Sequence, residues 1–334
     1  MQLIKKKAYS RLGFMGNPSD GYNGKTISMI CRNFFAEVTL YQWDRIEIVP
    51  AQQDRSQYSS LSALMGDVNL QGYYGGIRLI KATIKRFAQF CEANRLPLED
   101  KNFSIRYSSN IPRAVGLGGS SAIVVATLRA LMEFYHVEIP KEVQPSLALA
   151  VEAEELGIPA GLQDRVIQVY EGAIYMDFSK HKFRKSFGYE VASYTPIGTE
   201  LFSSLYMAYR QESGEPTEVV HNDLRARYEG GDESVHKAMK QFADFASEAH
   251  EALKRGDKDQ LHTLVDRNFD LRQEICGIAP LQLAMIHCAR SVGASAKFAG
   301  SGGGIVGFYR GEEMFDELKG KLTQMGCHMV KPLV

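Results

Sequence analysis

The 334-residue sequence lacks an excess of charge of either sign, because 39 Lys and Arg residues balance 39 Asp and Glu residues. Proteins that bind mainly nucleic acid or an anionic membrane surface carry a basic excess, so the balance argues against both partners. No run of about 18 apolar residues is present, which argues against a membrane-spanning helix. Lys5, Lys6 and Lys7 are not followed by an apolar stretch, so the first residues do not resemble a signal peptide.

Cysteine is also scarce and irregularly placed. The five cysteines are Cys31, Cys91, Cys276, Cys288 and Cys327. They form no CxxC pair and show no spacing that is typical of zinc sites. This pattern favours reduced thiols and predicts a cytoplasmic location.

The hydrophobic pattern predicts an α+β protein, because strands and helices are mixed without strict alternation. The length suggests two domains. A charged stretch at residues 181–185 interrupts the pattern of strands and helices, and predicts a boundary between residues 180 and 200. Alternating apolar residues predict strands, and helical spacing predicts helices. The main predicted strands are 35–41, 45–49, 102–107, 166–178 and 203–209, and the main predicted helices are 75–93, 120–136, 231–255 and 257–275.

The segment Ile111 to Ala122, IPRAVGLGGSSA, is rich in glycine and lies between a predicted strand and an apolar helix. Small residues let a backbone approach a ligand, and the first N–H groups of a helix have no intrahelical partner. These features favour a phosphate-binding loop, and a tight turn with a serine N-cap is the alternative. The segment is not a Walker P-loop, because Gly119 stands where that motif has lysine. It is not a Rossmann fingerprint, because Ser121 replaces the third glycine.

Three further segments combine tight turns with polar side chains. Residues 297–307, KFAGSGGGIVG, contain a bare GxGxxG that leads into a predicted strand rather than a helix. Residues 11–22, RLGFMGNPSDGY, and 157–165, GIPAGLQDR, are each explained by turn chemistry or a surface ion pair when taken alone.

In this order along the chain, the four segments resemble the motifs of the GHMP kinase superfamily, whose members phosphorylate small molecules. Its second motif matches at Pro112, Gly116, Leu117, Gly118 and Ser120. Its third motif matches Lys297 to Gly304. In its first motif Arg11 matches, whereas Asn17 and Pro18 replace Glu-His. The segments 16–20, 72–76, 161–166 and 176–179 are most similar to the branch of the family that acts on D-glucuronate.

The resemblance implies a two-domain α+β fold. A ribosomal-protein-like domain would span residues 1–190, and a ferredoxin-like domain would span residues 191–334. It also implies transfer of phosphate from ATP to the anomeric hydroxyl of D-glucuronate, with Mg²⁺ as cofactor. Galacturonate, arabinose, fucose or a heptose phosphate would be the alternative acceptor. The implied partners are ATP and a sugar acid, and the implied state is a monomer or homodimer.

By the same resemblance, the glycine-rich loop wraps the ATP phosphates. The residues implied in nucleotide binding are Pro112, Gly116, Leu117, Gly118, Gly119, Ser120, Ser121 and Ala122. Ser120 would also bind Mg²⁺, or Ser121 if the additional glycine is an insertion. Glu154 would supply a second metal contact, with Glu152 as the alternative, because residues two apart on a helix face different ways.

The catalytic carboxylate of the family aligns with Asp164, which would accept the proton of the sugar hydroxyl, and its cationic partner aligns with Arg11. The residues implied in substrate binding are Asn17, Asp20, Tyr73, Tyr74, Arg113, Arg165, Gly302 and Gly303. Arg113 and Arg165 are candidates for binding the substrate carboxylate, and Arg78 and Arg272 are equally eligible on composition. A sugar sensor without activity is the competing class, but it would not need Asp164 and Arg11.

Overall fold

The computed structural model describes residues 3–50, 54, 60, 65, 75–210 and 224–334. The strands of the first part of the chain are β1 (Leu3–Met15), β2 (Lys25–Trp43), β3 (Glu47–Val49), β4 (Asn102–Ser109), β5 (Ala173–Asp177), β6 (Arg184–Ser186), β7 (Tyr189–Val191) and β8 (Thr195–Ile197). Strand β2 is long enough to pair with β1 on one side and with both β4 and β5 on the other. Strand β3 adds to β4 in parallel, β8 adds to β5, and β6 and β7 form a separate hairpin.

Helices cover this first sheet. They are α1 (Gly76–Ala93), α2 (Gly119–Phe134), α3 (Gln144–Ala150) and α4 (Leu162–Tyr170), and a π-helical turn at Val151–Glu155 continues α3. Helix α2 is apolar and largely buried because it packs against α1, β1 and β2 at once. This packing fixes the first turn of α2 close to the middle of β1.

The second part of the chain forms an antiparallel sheet in the order β10-β11-β9-β12. Its elements are β9 (Leu205–Tyr209), α5 (Glu233–Arg255), α6 (Lys258–Ile275), α7 (Pro280–Ser291), β10 (Lys297–Phe298), β11 (Gly304–Phe308), α8 (Gly311–Gln324) and β12 (His328–Val330). Helices α5 and α6 meet at Gly256, whose φ of 68° ends α5 in the left-handed conformation. The side chains of Asp232 and Asp257 cap the starts of these two helices.

The largest hydrophobic cluster contains residues of both sheets, and a second cluster lies between the second sheet and its helices. The ring of Phe14 from β1 lies 5.3 Å from Phe202 and 5.5 Å from Phe308, both in edge-to-face contact. The first sheet ends with β8 and the second begins with β9, so the change of sheet falls between residues 197 and 205. The division into residues 1–190 and 191–334 stays a prediction.

The predicted α+β class is confirmed, and the predicted helices match α1, α2, α5 and α6. The strand predicted over residues 166–178 is wrong in its first part, where α4 runs to Tyr170 before β5 begins. Val166, Ile167 and Val169 are apolar and β-branched, which favours a strand locally. Packing of α4 against α2, α3 and β1 overrides that preference. Within the described ranges, no helix is long and apolar enough to cross a membrane.

Candidate active site

A cleft with a cavity of about 290 Å³ opens where the first turns of α2 and α4 meet the loop after β1 and the loop before β11. All four glycine-containing segments of the sequence therefore reach one place. Leu79, Ile123 and Ile158 line part of its wall and give it an apolar side. The rest of the lining combines glycines and further apolar residues with charged side chains.

The glycine-rich loop enters the cleft with Gly116 and Gly118 in the left-handed conformation, at φ of 71° and 72°. Helix α2 begins at the next residue, and no side chain caps its first turn. The N-terminus of α2 is therefore available to an anion. Ser120 lines the cleft, whereas the Ser121 hydroxyl is buried and donates a 3.1 Å hydrogen bond to the Gly118 carbonyl.

The predicted nucleotide contacts divide into two groups. Those that line the cleft are Pro112, Gly116, Leu117, Gly118, Gly119 and Ser120. Ser121 and Ala122 are fully buried and lie outside the cleft lining, so they support the loop from beneath.

The third glycine motif supports this loop by close backbone packing. A Cβ atom on Gly300 would lie 2.0 Å from the Gly116 carbonyl oxygen, and one on Gly303 would lie 2.9 Å from the Ala114 carbonyl oxygen. Gly300 and Ser301 line the cleft, but Gly302 and Gly303 are buried outside its lining. The structure therefore does not support the predicted substrate contacts at Gly302 and Gly303. The missing side chain of Gly303 lets the two loops touch, whereas Gly302 lies against the side chain of Gln282 on α7.

The predicted catalytic pair is in direct contact. Asp164 lies in the first turn of α4, and its Oδ1 accepts from Nε of Arg11 at 2.8 Å and from Nη2 at 2.7 Å. The Arg11 side chain comes from β1, is nearly buried, and also donates from Nη1 to the Ala299 carbonyl. These contacts of Arg11 join the first and third motifs at the Asp164 carboxylate.

Asp20 is a second carboxyl group in the cleft and is half-buried. Burial, reinforced by the nearby Asp164 carboxylate, raises the pKa of Asp20 to about 6, although Arg11 acts in the opposite direction. Gly161 lies against this carboxyl group, where a Cβ atom would be 2.2 Å from Oδ2. The glycine before α4 is therefore needed to make room for Asp20.

Arg165 and Glu152 form a buried ion pair close to the Asp164 carboxylate. Arg165 donates to Oε2 of Glu152 from both Nε and Nη2, and from Nη1 to the Gly161 carbonyl at 2.8 Å. Oε1 of Glu152 is buried without a hydrogen-bond partner, and this residue lines the cleft. Glu154 lies instead on the surface, where it pairs with Arg86 and its side chain is 62% exposed. The predicted metal contact at Glu154 is therefore not supported, and Glu152 is the glutamate that reaches the cleft.

Asn17 is held by a lysine that the sequence predictions left without a role. The ammonium group of Lys297 is fully buried and donates to Oδ1 of Asn17 at 2.7 Å and to the carbonyls of Gly13 and Phe298 at 2.8 and 2.7 Å. Burial lowers the pKa of Lys297 well below its usual value. The lysine ties the loop after β1 to β10 and orients Asn17 at the cleft.

The other predicted sugar contacts differ in their placement. Arg113 lines the cleft and is largely exposed, whereas Tyr73 and Tyr74 lie outside the described residues. Arg272, from α6, also lines the cleft and is only 4% exposed. No local sequence signal singles out Arg272, because its place in the cleft depends on the packing of α6 beside the third motif.

Comparisons with known proteins agree with this arrangement. The model of the GHMP kinases N terminal domain matches residues 78–172. Glucuronokinase 1 of Arabidopsis thaliana is 42% identical over 311 residues, which cover 91% of this chain and 84% of the relative. Probable glucuronokinase 2 of the same plant is also 42% identical, over 92% of this chain and 84% of its own length.

The same fold is found among solved structures. The mevalonate kinase of Methanococcus jannaschii superposes with a TM-score of 0.73 at 20% identity, over 100% of this chain and 99% of that one. The likeness to that structure concerns the fold, whereas the plant relatives are similar in sequence along almost all of the chain. The chain belongs to the GHMP kinase family.

Proposed function

We propose that this protein is a glucuronokinase, which transfers the γ-phosphoryl group of ATP to the anomeric hydroxyl of D-glucuronate. The products are glucuronate 1-phosphate and ADP. The observation that carries the proposal is the Arg11–Asp164 pair, which lies in the same cleft as the uncapped first turn of α2. The identity of 42% with two plant glucuronokinases supports the choice of sugar.

The N-terminus of α2 suits the phosphates of ATP. Backbone N–H groups at the start of a helix bind anions, and the helix dipole adds to the attraction. Gly116 and Gly118 keep side chains away from this place, so the phosphates can approach the backbone closely. The apolar wall at Leu79, Ile123 and Ile158 is suited to the uncharged part of the nucleotide.

Asp164 is suited to act as the general base. Its carboxylate would accept the proton of the anomeric hydroxyl as the sugar oxygen attacks phosphorus, and the bond to the ADP oxygen breaks in the same displacement. The Arg11 guanidinium keeps the carboxylate oriented and lies where it can balance negative charge on the transferred group. An anomeric hydroxyl is more acidic than an ordinary alcohol, so a carboxylate is a sufficient base.

The cleft also fits a Mg²⁺ ion. The described residues contain no group of three or more His, Cys, Asp or Glu side chains that could hold a metal. Mg²⁺ in kinases usually takes one or two protein ligands and completes its shell with phosphates and water. The unpartnered Oε1 of Glu152 and the hydroxyl of Ser120 are oxygen donors of that kind. When bound, Mg²⁺ would neutralise charge on the ATP phosphates.

Asp20 and Asn17 line the same cleft and would bind the sugar. A carboxylate accepts hydrogen bonds from two neighbouring hydroxyls, which suits a pyranose ring. The proposal includes a monomer or homodimer in the cytoplasm. The five free cysteines support a reducing compartment.

The proposal is tested by ADP release from purified protein with D-glucuronate, galacturonate, arabinose and fucose as acceptors. We expect D-glucuronate to give the highest kcat/KM. Asp164→Asn should lower kcat by about 100- to 10,000-fold and leave the binding of a non-hydrolysable ATP analogue nearly intact. Asp244→Asn is the matched control, because Asp244 is exposed on α5, and this variant should be active.

Two results would contradict the proposal. Turnover of a neutral sugar without turnover of D-glucuronate would show that the acceptor is wrong. A near-normal kcat in Asp164→Asn, with a normal melting temperature, would show that the base lies elsewhere.

A further inference from the structure

The cleft contains several guanidinium groups, and they differ in what balances their charge. Arg11 is paired with Asp164, and Arg165 is paired with Glu152. Arg113 is exposed to solvent rather than buried. Arg272 is different, because it is 4% exposed and forms no ion pair with any carboxylate of the described residues.

Within the described part of the chain, the contacts of Arg272 are all with uncharged groups. Nη1 donates to the Gly300 carbonyl at 2.9 Å, and Nη2 donates to the Ser301 carbonyl at 2.7 Å. The guanidinium carbon lies 5.2 Å from the centre of the Phe298 ring. Nε is buried and has no acceptor, so the contacts use only part of the donors of the group.

The buried charge of Arg272 is unfavourable unless an anion binds beside it. A buried charge without a counter-charge costs free energy, and burial lowers the pKa of Arg272 accordingly. A bound carboxylate would remove this cost by supplying both charge and acceptor oxygens. The planar fork of a guanidinium group matches the two oxygens of a carboxylate.

Arg272 contacts the same loop as Arg11, which contacts Asp164. Arg272 holds the carbonyls of Gly300 and Ser301, while Arg11 holds the carbonyl of Ala299, the residue before them. The two guanidinium groups therefore bind consecutive residues of one loop, and both line the cleft. In D-glucuronate, only the ring oxygen and C5 separate the carboxylate carbon from the anomeric carbon. A sugar placed with its anomeric hydroxyl at Asp164 therefore has its carboxylate within the same cleft.

We propose that Arg272 binds the carboxylate of the sugar acid and makes the enzyme prefer a uronate to the corresponding uncharged sugar. This inference rests on the proposed function, since it assumes that D-glucuronate occupies the cleft. It assigns the carboxylate to Arg272 rather than to Arg165, whose charge is already balanced by Glu152.

The test compares D-glucuronate with D-glucuronamide, which has the same ring but no charge. For Arg272→Met we expect the KM for D-glucuronate to rise about ten- to a hundredfold, because a hydrogen-bonded charge is lost. The KM values for D-glucuronamide and ATP should stay within about twofold of wild type. Arg272→Lys keeps the charge and should recover part of the discrimination. Arg267→Gln, on the exposed side of the same helix, is the matched control.

The outcomes separate the two proposals. A wild-type enzyme that phosphorylates no uronate refutes the proposed function itself. If wild type prefers D-glucuronate, but Arg272→Met and Arg272→Lys lose activity equally with the acid and the amide, Arg272 only supports the loop and the inference is wrong. A rise confined to the KM for ATP would assign Arg272 to a phosphate instead, and would also overturn it. Melting temperatures of the variants distinguish these losses from unfolding.

Discussion

Asp20→Asn is predicted to stabilise the protein at neutral pH while it weakens sugar binding. The Asp20 carboxylate is half-buried and lies near Asp164, so both desolvation and repulsion oppose its ionisation. An amide of the same shape removes both penalties. It also loses acceptor capacity toward sugar hydroxyls, so the KM for the sugar should rise.

The size of the effect follows from the pKa of Asp20, which folding raises from 3.8 to about 6. That difference corresponds to at most about 3 kcal/mol of lost stability at pH 7.5. Because the carboxyl group is open to the cleft, solvent screens the charge and we expect about 1–2 kcal/mol. Since folding raises this pKa, the penalty is present above about pH 6, declines as the pH falls toward 3.8, and vanishes below it.

Urea unfolding at pH 7.5 and pH 5 measures this prediction. The free energy of unfolding of Asp20→Asn should exceed that of wild type at pH 7.5, and the gain should be about half as large at pH 5. Asp316→Asn removes an exposed carboxylate on α8 and should change stability little at either pH. A loss of stability in Asp20→Asn at pH 7.5, or a gain that does not depend on pH, would refute the reasoning.

Three further predictions concern the walls of the cleft. Gly300→Ala brings a Cβ atom to 2.0 Å from the Gly116 carbonyl oxygen, so it should lower stability by about 1–3 kcal/mol and weaken ATP binding, as measured by calorimetry. Glu152→Gln should raise the Mg²⁺ concentration for half-maximal activity by about tenfold, whereas Glu154→Gln at the surface should leave it unchanged. Arg165→Met leaves the Glu152 carboxylate buried and unpaired, and should lower the free energy of unfolding by about 3–5 kcal/mol. The double variant Glu152→Gln with Arg165→Met should recover most of that loss in urea unfolding.

Each of these three predictions would be contradicted by a specific result. Normal ATP affinity in Gly300→Ala would mean that the two loops are not in close contact. An equal Mg²⁺ requirement in Glu152→Gln and Glu154→Gln would remove Glu152 from the metal site. A double variant as unstable as Arg165→Met alone would mean that the arginine stabilises the fold through contacts other than Glu152.

Local sequence pattern was enough to predict the long helices of this protein. Helical spacing of apolar residues was sufficient for α1, α5 and α6, and small residues before an apolar run marked the start of α2. The resemblance to the family's motifs implied Arg11 and Asp164, which the fold brings into contact at 2.7 Å. Helical spacing and a run of small residues are local features of the sequence, so they can be recognised without knowledge of packing.

Tertiary structure alone decided which neighbouring side chains face the cleft. The π-helical turn at Val151–Glu155 breaks the regular helical phase, so spacing could not show that Glu152 turns inward and Glu154 outward. Gly303 lies against the glycine-rich loop, and Gly302 lies against Gln282 of α7, so contacts between distant parts of the chain account for their burial. Arg272 is buried away from the carboxylates of the described residues for the same reason, because its burial depends on residues that meet only when the chain folds.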